Sequence, residues 1–457
     1  MMLLNWRRTL RWMAAAMGTV YAVAASSADI RSCEEPRVFR DTPVNVLILP
    51  YTYTGPDQSR PLSESARLLG ILMEQDSLID MVKYGSIAVV NLVNLPGSHR
   101  PCVPDEIWER MAGSRRDPNV GARPGAGVVM MWGRLYEESG SLFIQSYIRF
   151  GRVQTNEQIE RSVSYGEKPL VFRGALPAQS VTLPPREIRE ADLRAIAKEF
   201  GRAAVIYEKP DPSSRVVGQL PDPNRAAANA NRFEPFGYTV TSVDGDWMRV
   251  NLLYGGGSGW VRARVDVTQW PLRDRLPEMH YLDGVVGYLQ YRVAVDPSPF
   301  RRSPPPSKFI DLAQRSFARY AERTPSGTQP SARSLGHAMI GALKVLEARS
   351  SSALDGADAQ FSEAVRLAPY SADLRNLQNV VQVQRCCLGA GRAGADSKAM
   401  MDRLLDAVAV DPENAQALEN LLSFHKLLKQ WPEGAVAIGP EELERQASAL
   451  ASAGIRQ

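Results

Sequence analysis

A run of glycines at residues 255–259 is the first feature of this 457-residue sequence that could do chemistry. A phosphate-binding loop of the form G-x-x-x-x-G-K-[ST] needs a lysine and a hydroxyl directly after its last glycine. Here Trp260 follows Gly259, and it also stands where the dinucleotide pattern G-x-G-x-x-G needs its third glycine. The spacing therefore favours a tight turn between two strands over a phosphate site.

The residues on either side of the glycines alternate with a period of two, which indicates strands. Met248, Val250 and Val261 fall on one face, which we expect to be the core. The neighbouring tryptophans then lie on the opposite face or at its rim, where they meet an external partner or are covered by the chain itself. The candidate ligand-binding residues are Trp247, Trp260 and Tyr254.

No constellation of catalytic residues stands out. The histidines are far apart, without i, i+4 pairing or zinc-ligand spacing to cysteine, and they are His99, His280, His337 and His425. The nucleophile motif G-x-S-x-G is absent. Asp244 and Asp246 flank a glycine between two strands and are typical turn residues. We predict a protein that is not an enzyme and has no cofactor and no metal.

The first 28 residues have the order of a secretory signal peptide. A basic start, NWRRTLR, precedes an apolar run at residues 12–25, and Ser26 and Ala28 suit cleavage after Ala28. The run of about 14 residues is shorter than the roughly 20 that a spanning helix needs, which favours cleavage over retention as an anchor. We expect a periplasmic or secreted protein with no membrane span.

The net charge of +4 owes three charges to Arg7, Arg8 and Arg11 in this leader. The remainder is close to neutral, which argues against a surface for nucleic acid.

Export also makes the four cysteines informative, because disulfides form in oxidising compartments. Cys33 and Cys102 lie in the same early segment and are the candidate disulfide pair. Cys386 and Cys387 are adjacent, and adjacent residues bridge poorly. We interpret the second pair as small buried apolar side chains.

Residues 44–173 alternate strand and helix patterns in the order β-α-β-α-β-β. The segment contains an apolar strand pattern, LILPY at 47–51, and a hairpin pattern, WGRLYEESGSLFIQ at 132–145. It resembles the N-terminal domain of TolB and related envelope accessory domains. That resemblance implies a small α/β sandwich over residues 29–185, with protein partners and no enzymatic activity.

Residues 196–268 contain an ordered series of short strand patterns. The pattern P-x-x-S-x-V-x-G-x-L matches Pro210 to Leu220 with Ser213 or Ser214, W-x-x-V matches Trp247 to Val250, and G-W-V matches Gly259 to Val261. The segment resembles a bacterial SH3-like domain, although the polar insert PDPNRAAANANRFEPF departs from the pattern. The resemblance implies a small β-barrel with GGGSG as its last hairpin turn, which recognises peptidoglycan or envelope proteins.

Helical patterns fill the rest of the chain. Residues 271–330 are predicted as a helical connector with proline-rich linkers, and residues 331–449 as wholly helical. The spacing A-x3-F-x2-A-x4-P occurs once in full and once in part, at Ala357, Phe361, Ala364 and Pro369 and at Leu404, Ala407 and Pro412. The region resembles divergent tetratricopeptide (TPR-like) repeats, which implies a concave face for peptides. A plain helical bundle is the alternative.

These patterns predict a multidomain α+β protein with a small α/β sandwich, then an SH3-like β-barrel, then an all-α helical repeat region. We expect an exported, non-enzymatic binding or scaffold protein of the bacterial cell envelope, with envelope proteins or peptides as partners. The alternatives are a peptidoglycan-recognition protein that uses the barrel and a cell-wall hydrolase.

Overall fold

The computed structural model of this chain divides into two compact units. The first comprises Met1–Gln145 with Pro185–Trp270, and the second comprises Ser146–Pro184 with Pro271–Gln457. The structure describes residues 41–55, 66, 69–70, 73, 87–91, 103–113, 122–155, 157–165, 168–176, 180–189, 191, 205–219, 236–244, 247–252, 257–262, 276–296, 299–302, 307–324, 330–350, 352–387 and 393–429.

The elements are numbered here in chain order. The strands are β1 (Val44–Thr54), β2 (Ile87–Asn91), β3 (Gly127–Glu138), β4 (Ser141–Arg152), β5 (Gln158–Tyr165), β6 (Lys168–Ala175), β7 (Ser180–Thr182), β8 (Arg186–Glu187), β9 (Val205–Tyr207), β10 (Val216–Gln219), β11 (Phe236–Asp244), β12 (Trp247–Leu252) and β13 (Ser258–Arg262). The helices are α1 (Pro104–Gly113), α2 (Glu278–Val295), α3 (Ser307–Arg323), α4 (Pro330–Glu347), α5 (Asp355–Leu367), α6 (Ala372–Cys387), α7 (Ala393–Val410) and α8 (Ala415–Lys429).

Three parallel strands lie inside the sheet of the first unit. β1 pairs in parallel with β2 on one side and β3 on the other, so that Val46 lies between Val89 and Val129. Parallel strands are buried on both faces, which explains why residues 46–49 of β1 are a continuous apolar run. The described residues between β1 and β2 include Ala66, Leu69 and Met73, which are helical and buried. The described elements therefore follow the predicted order β-α-β-α-β-β: β1, these helical residues, β2, α1, β3 and β4.

Antiparallel strands continue the same sheet. The order runs β10-β9-β13-β12-β11-β2-β1-β3-β4, and β8 pairs with the first part of β4. The expected closed barrel is not seen among the described strands. The reason is that β11 pairs with β2 along Phe236–Thr239, while β10, at the end of this order, pairs with β9. The strands predicted for an SH3-like module thus extend an open mixed sheet.

The second unit joins a β-hairpin to the C-terminal helices. β5 and β6 form a two-stranded antiparallel sheet of their own, and helices α2 to α8 each pack on the next helix in the chain. The helical C-terminal region is confirmed. Ala357, Phe361 and Ala364 are fully buried in α5, and Pro369 and Pro412 follow α5 and α7, where a proline ends a helix. Residues 146–184 belong to this unit together with the helices.

Several predicted features lie outside the described residues: the leader at residues 1–28, the cysteines Cys33 and Cys102, and Tyr254. The side chains of Cys386 and Cys387 are also outside them. Within the described ranges, none of the helices combines the length and the apolar character that crossing a bilayer requires.

Candidate functional site

Three aromatic side chains gather on one face of the first unit's sheet. Tyr207 of β9, Trp247 of β12 and Trp260 of β13 lie on adjacent strands, with Trp260 directly opposite Tyr207. The rings of Tyr207 and Trp247 meet edge to face, with centroids 5.5 Å apart and planes at 85°. All three side chains are half-buried. We call these three residues the aromatic face.

Strand alternation explains why these rings lie outside the core. Val250 is 0% exposed, Val261 is 3% exposed and Ile206 is 2% exposed, and all three point to the other side of the sheet. The prediction that Val250 and Val261 are core residues is confirmed, whereas the side chain of Met248 lies outside the described residues.

Gly259 allows strands β9 and β13 to lie close together. A Cβ on Gly259 would lie 2.4 Å from Ile206 Cγ2 and 2.7 Å from the carbonyl oxygen of Tyr207. Only a glycine therefore lets β9 approach β13 this closely. The antiparallel pairing of β12 with β13 confirms that the glycine-rich segment connects two strands.

Two arginines share the surface of the aromatic face. Arg249 is paired with Trp260 and Arg262 with Trp247, so they project on the same side of the sheet. Both arginine side chains are exposed. Asp244, at the end of β11, is also exposed and lies opposite Trp247. The surface therefore combines flat aromatic area with guanidinium groups and a carboxylate.

The second unit contains a cluster of amide side chains, Asn376 of α6 with Gln416 and Asn420 of α8. We call these three residues the amide cluster. They bind the outer edge of strand β6 through its backbone. Asn420 accepts a hydrogen bond from Arg173 N at 2.9 Å and donates one to Arg173 O at 2.6 Å. Asn376 donates to the same carbonyl oxygen at 2.9 Å, and Gln416 accepts from Ala175 N at 2.5 Å.

The side chain of Asn420 does for β6 what a neighbouring strand would do. One amide group satisfies both the N–H and the C=O of one residue, which is the exchange that a paired residue makes in an antiparallel ladder. Asn376 and Asn420 are 1% and 2% exposed, and they are also joined to each other at 2.8 Å. Buried amides of this kind need partners, and here the strand backbone supplies them.

A glycine brings the β6 backbone close to α6. A Cβ on Gly174 would lie 2.7 Å from Leu377 Cδ2 and 3.3 Å from Leu377 Cα. A side chain at this position would therefore force Leu377 or the strand to shift. In contrast, the Arg173 side chain is 43% exposed and pairs with Glu160 at 3.1 Å.

A buried ion cluster lies at the base of the same hairpin, formed by Arg152, Glu157, Tyr288, Arg292 and Asp296. Glu157, fully buried as a side chain, accepts from Arg152 Nε at 2.5 Å and from Tyr288 Oη at 2.7 Å. Burial, and secondly the charge of Glu157, raise the pKa of Tyr288 well above its ordinary value, so its hydroxyl stays protonated and able to donate. The cluster ties the residue before β5 to helix α2.

The sequence identified part of these sites and missed the rest. It identified Trp247 and Trp260, which the structure brings to one face, and it missed Tyr207 and the amide cluster. A signal for the amides was present, since Asn376 and Asn420 each stand inside a helix, where asparagine is unfavourable without a partner. The pairing with β6 was not readable, because more than 200 residues separate the two partners.

Histidines do not assemble a further site in the part of the chain that the structure describes. His337 Nδ1 lies 2.9 Å from Gln360 Oε1 on the helices, and no group of three His, Cys, Asp or Glu side chains in the described ranges is placed to hold a metal ion. No protein-family model matches this sequence, and no curated protein resembles it closely enough to count as a match.

Proposed function

We propose that this chain is an exported binding or scaffold protein of the bacterial cell envelope that holds a protein partner on its aromatic face. The observation that carries the proposal is the position of Trp247, Trp260 and Tyr207, half-buried on the side of the sheet opposite its core. Tryptophan, tyrosine and arginine are the residue types enriched at binding hot spots, and all three occur together on this surface.

The chemistry of the surface favours a protein or peptide partner. The rings are already oriented by the edge-to-face contact between Tyr207 and Trp247, so little side-chain freedom is lost when a partner packs on them. Arg249 and Arg262, which lie opposite Trp260 and Trp247 in the strand register, add donors for carboxylates or backbone carbonyls. A partner segment with acidic and apolar residues would satisfy both features.

The finer assignments belong to the same proposal. We assign β9 to β13 to an SH3-like module on the pattern from Pro210 to Val261, and α5 to α8 to a TPR-like module on the spacing from Ala357 to Pro412. Export rests on the basic, apolar and small-residue order of residues 1–28. Mass spectrometry of protein from the native host should find an N-terminus near Asp29. Recovery of intact Met1 from the cytoplasm would contradict export.

Peptidoglycan recognition is the second candidate, and the aromatic face also favours it. Flat rings stack on sugar faces, and arginines bind the carboxylates of the peptide stems. The sequence pattern of β9 to β13 supports this candidate equally, since domains that resemble it bind either cell-wall material or proteins.

One pair of assays separates the candidates. Purified mature protein is incubated with insoluble peptidoglycan, and in parallel its envelope partners are identified by crosslinking and mass spectrometry. The scaffold proposal predicts no saturable binding to peptidoglycan and a defined partner whose crosslinks map to strands β9, β12 and β13. Saturable binding to peptidoglycan would instead support the second candidate, and release of muropeptides would support a cell-wall hydrolase.

A further inference from the structure

The second unit carries a binding surface that is already occupied by its own chain. The amide cluster forms four hydrogen bonds to the β6 backbone, to Arg173 N, Arg173 O (twice) and Ala175 N. None of these bonds involves a side chain of β6. The recognition is therefore of an extended backbone, as when a peptide is added to the edge of a sheet.

The strand that fills this surface has few other backbone partners. Among the strands that the structure describes, β6 pairs with β5 alone in a two-stranded sheet, and two-stranded hairpins are marginally stable by themselves. One edge of β6 is hydrogen-bonded to β5 and the other to the amide cluster. At the surface of α6, the close approach of Leu377 favours glycine at position 174, because a larger residue there would force Leu377 or the strand to shift.

We propose that the surface of α6 and α8 that carries Asn376, Gln416 and Asn420 is a binding site for an extended polypeptide segment, with β6 as its resident ligand. The class of ligand is defined by what β6 presents to the amide cluster: a strand edge not paired with β5, a glycine at the point of closest approach and an apolar residue two positions before it, here Phe172. A partner segment with these features replaces β6, and β6 otherwise keeps the site closed. The inference rests on contacts of the second unit alone, so it can fail without the proposed function failing.

The resident strand has an advantage over any external peptide, because it is tethered. Intramolecular ligands act at effective concentrations of the order of millimolar. Wild-type protein should therefore bind an added peptide weakly, and weakening the resident strand should open the site. Gly174→Val is the variant of choice, since its side chain would clash with Leu377.

The probe is a fluorescent peptide with the sequence of residues 168–176, KPLVFRGAL. We expect it to bind full-length Gly174→Val protein at least tenfold more tightly than wild-type protein, as measured by fluorescence anisotropy. The matched peptides are decisive: replacing the glycine by valine should abolish binding, whereas replacing the arginine by alanine should leave it unchanged. Adding Asn420→Ala to the Gly174→Val protein should also abolish binding.

A second measurement uses wild-type protein and does not depend on the variant. Hydrogen exchange followed by mass spectrometry reports the amides of Arg173 and Ala175 in the full chain. Excess unlabelled peptide should speed their exchange, because it releases β6 from the amide cluster. Unchanged exchange at saturating peptide, or no binding by Gly174→Val protein that keeps its helical spectrum, would show that β6 is a fixed part of the core and would overturn the proposal.

Discussion

The aromatic face and the amide cluster differ in whether their side chains have partners within the chain. In the second unit, amides that are almost fully buried are each matched to a backbone group of the same chain. In the first unit, large rings remain half-buried on a sheet whose core lies on the other side. The difference follows from cost: a buried polar group without a partner is expensive, whereas a partly exposed aromatic ring is tolerated. The amide cluster holds a strand of its own chain, whereas the aromatic face leaves area for a separate partner.

The largest effect should come from the ion cluster below the hairpin. Replacing Glu157 by alanine removes the fully buried carboxylate that Arg152 and Arg292 share, together with the acceptor of Tyr288 Oη. The two arginines then keep only the partly exposed carboxylate of Asp296 among the members of the cluster. Breaking a buried pair in this way costs about 3–5 kcal/mol. Urea denaturation measures this loss, with Glu160→Ala on the exposed side of the hairpin as the control. A loss below about 1 kcal/mol would show that water or other groups take over the role of Glu157.

A smaller but clear loss should follow from Asn420→Ala. The change removes both hydrogen bonds of Asn420 to Arg173. The carbonyl oxygen of Arg173 keeps its bond from Asn376, but the N–H of Arg173 loses its Asn420 partner, which costs about 1–3 kcal/mol. Glu419→Ala, at the exposed neighbouring position, should leave the free energy of unfolding unchanged. Equal effects of the two substitutions would contradict the strand-like role of Asn420.

A still smaller loss of stability than that of Asn420→Ala should follow from Arg173→Ala. The amide cluster contacts only the backbone of this residue, and the side chain forms a surface ion pair with Glu160. Such pairs contribute roughly 0.2–1 kcal/mol, so we expect a loss at the low end of that range in the same denaturation experiment. A loss as large as that of Asn420→Ala would mean that the arginine side chain, and not the strand backbone, holds the hairpin on the helices.

Local patterns predicted most of the secondary structure. The apolar residues of LILPY at 47–51 predicted a strand, and the alternation around the glycines predicted β12 and β13 with Val250 and Val261 in the core. Helical spacing and the prolines at 369 and 412 predicted the C-terminal helices. These features depend on neighbours within a few residues, which the sequence displays directly.

Pairing between distant segments was not predictable in the same way. Alternation places Phe236–Thr239 in a strand but does not say that this strand pairs with β2 instead of closing a barrel. Likewise, Asn376 and Asn420 signal a buried partner without naming β6. For the aromatic face, the tryptophans were found from their alternation, whereas Tyr207 required the register between β9 and β13.

The central claim is that the aromatic face binds a partner, and Trp260→Ala tests it most directly. Its matched control is Val261→Ala, the next residue on the buried side of the same strand. We expect Trp260→Ala to keep the thermal midpoint nearly unchanged and to weaken binding of the crosslinked partner at least tenfold, about 1.4 kcal/mol. Val261→Ala should instead lose about 2 kcal/mol of stability with unchanged affinity per folded molecule. Loss of several degrees of stability by Trp260→Ala with unaffected binding would contradict the account and make the ring structural.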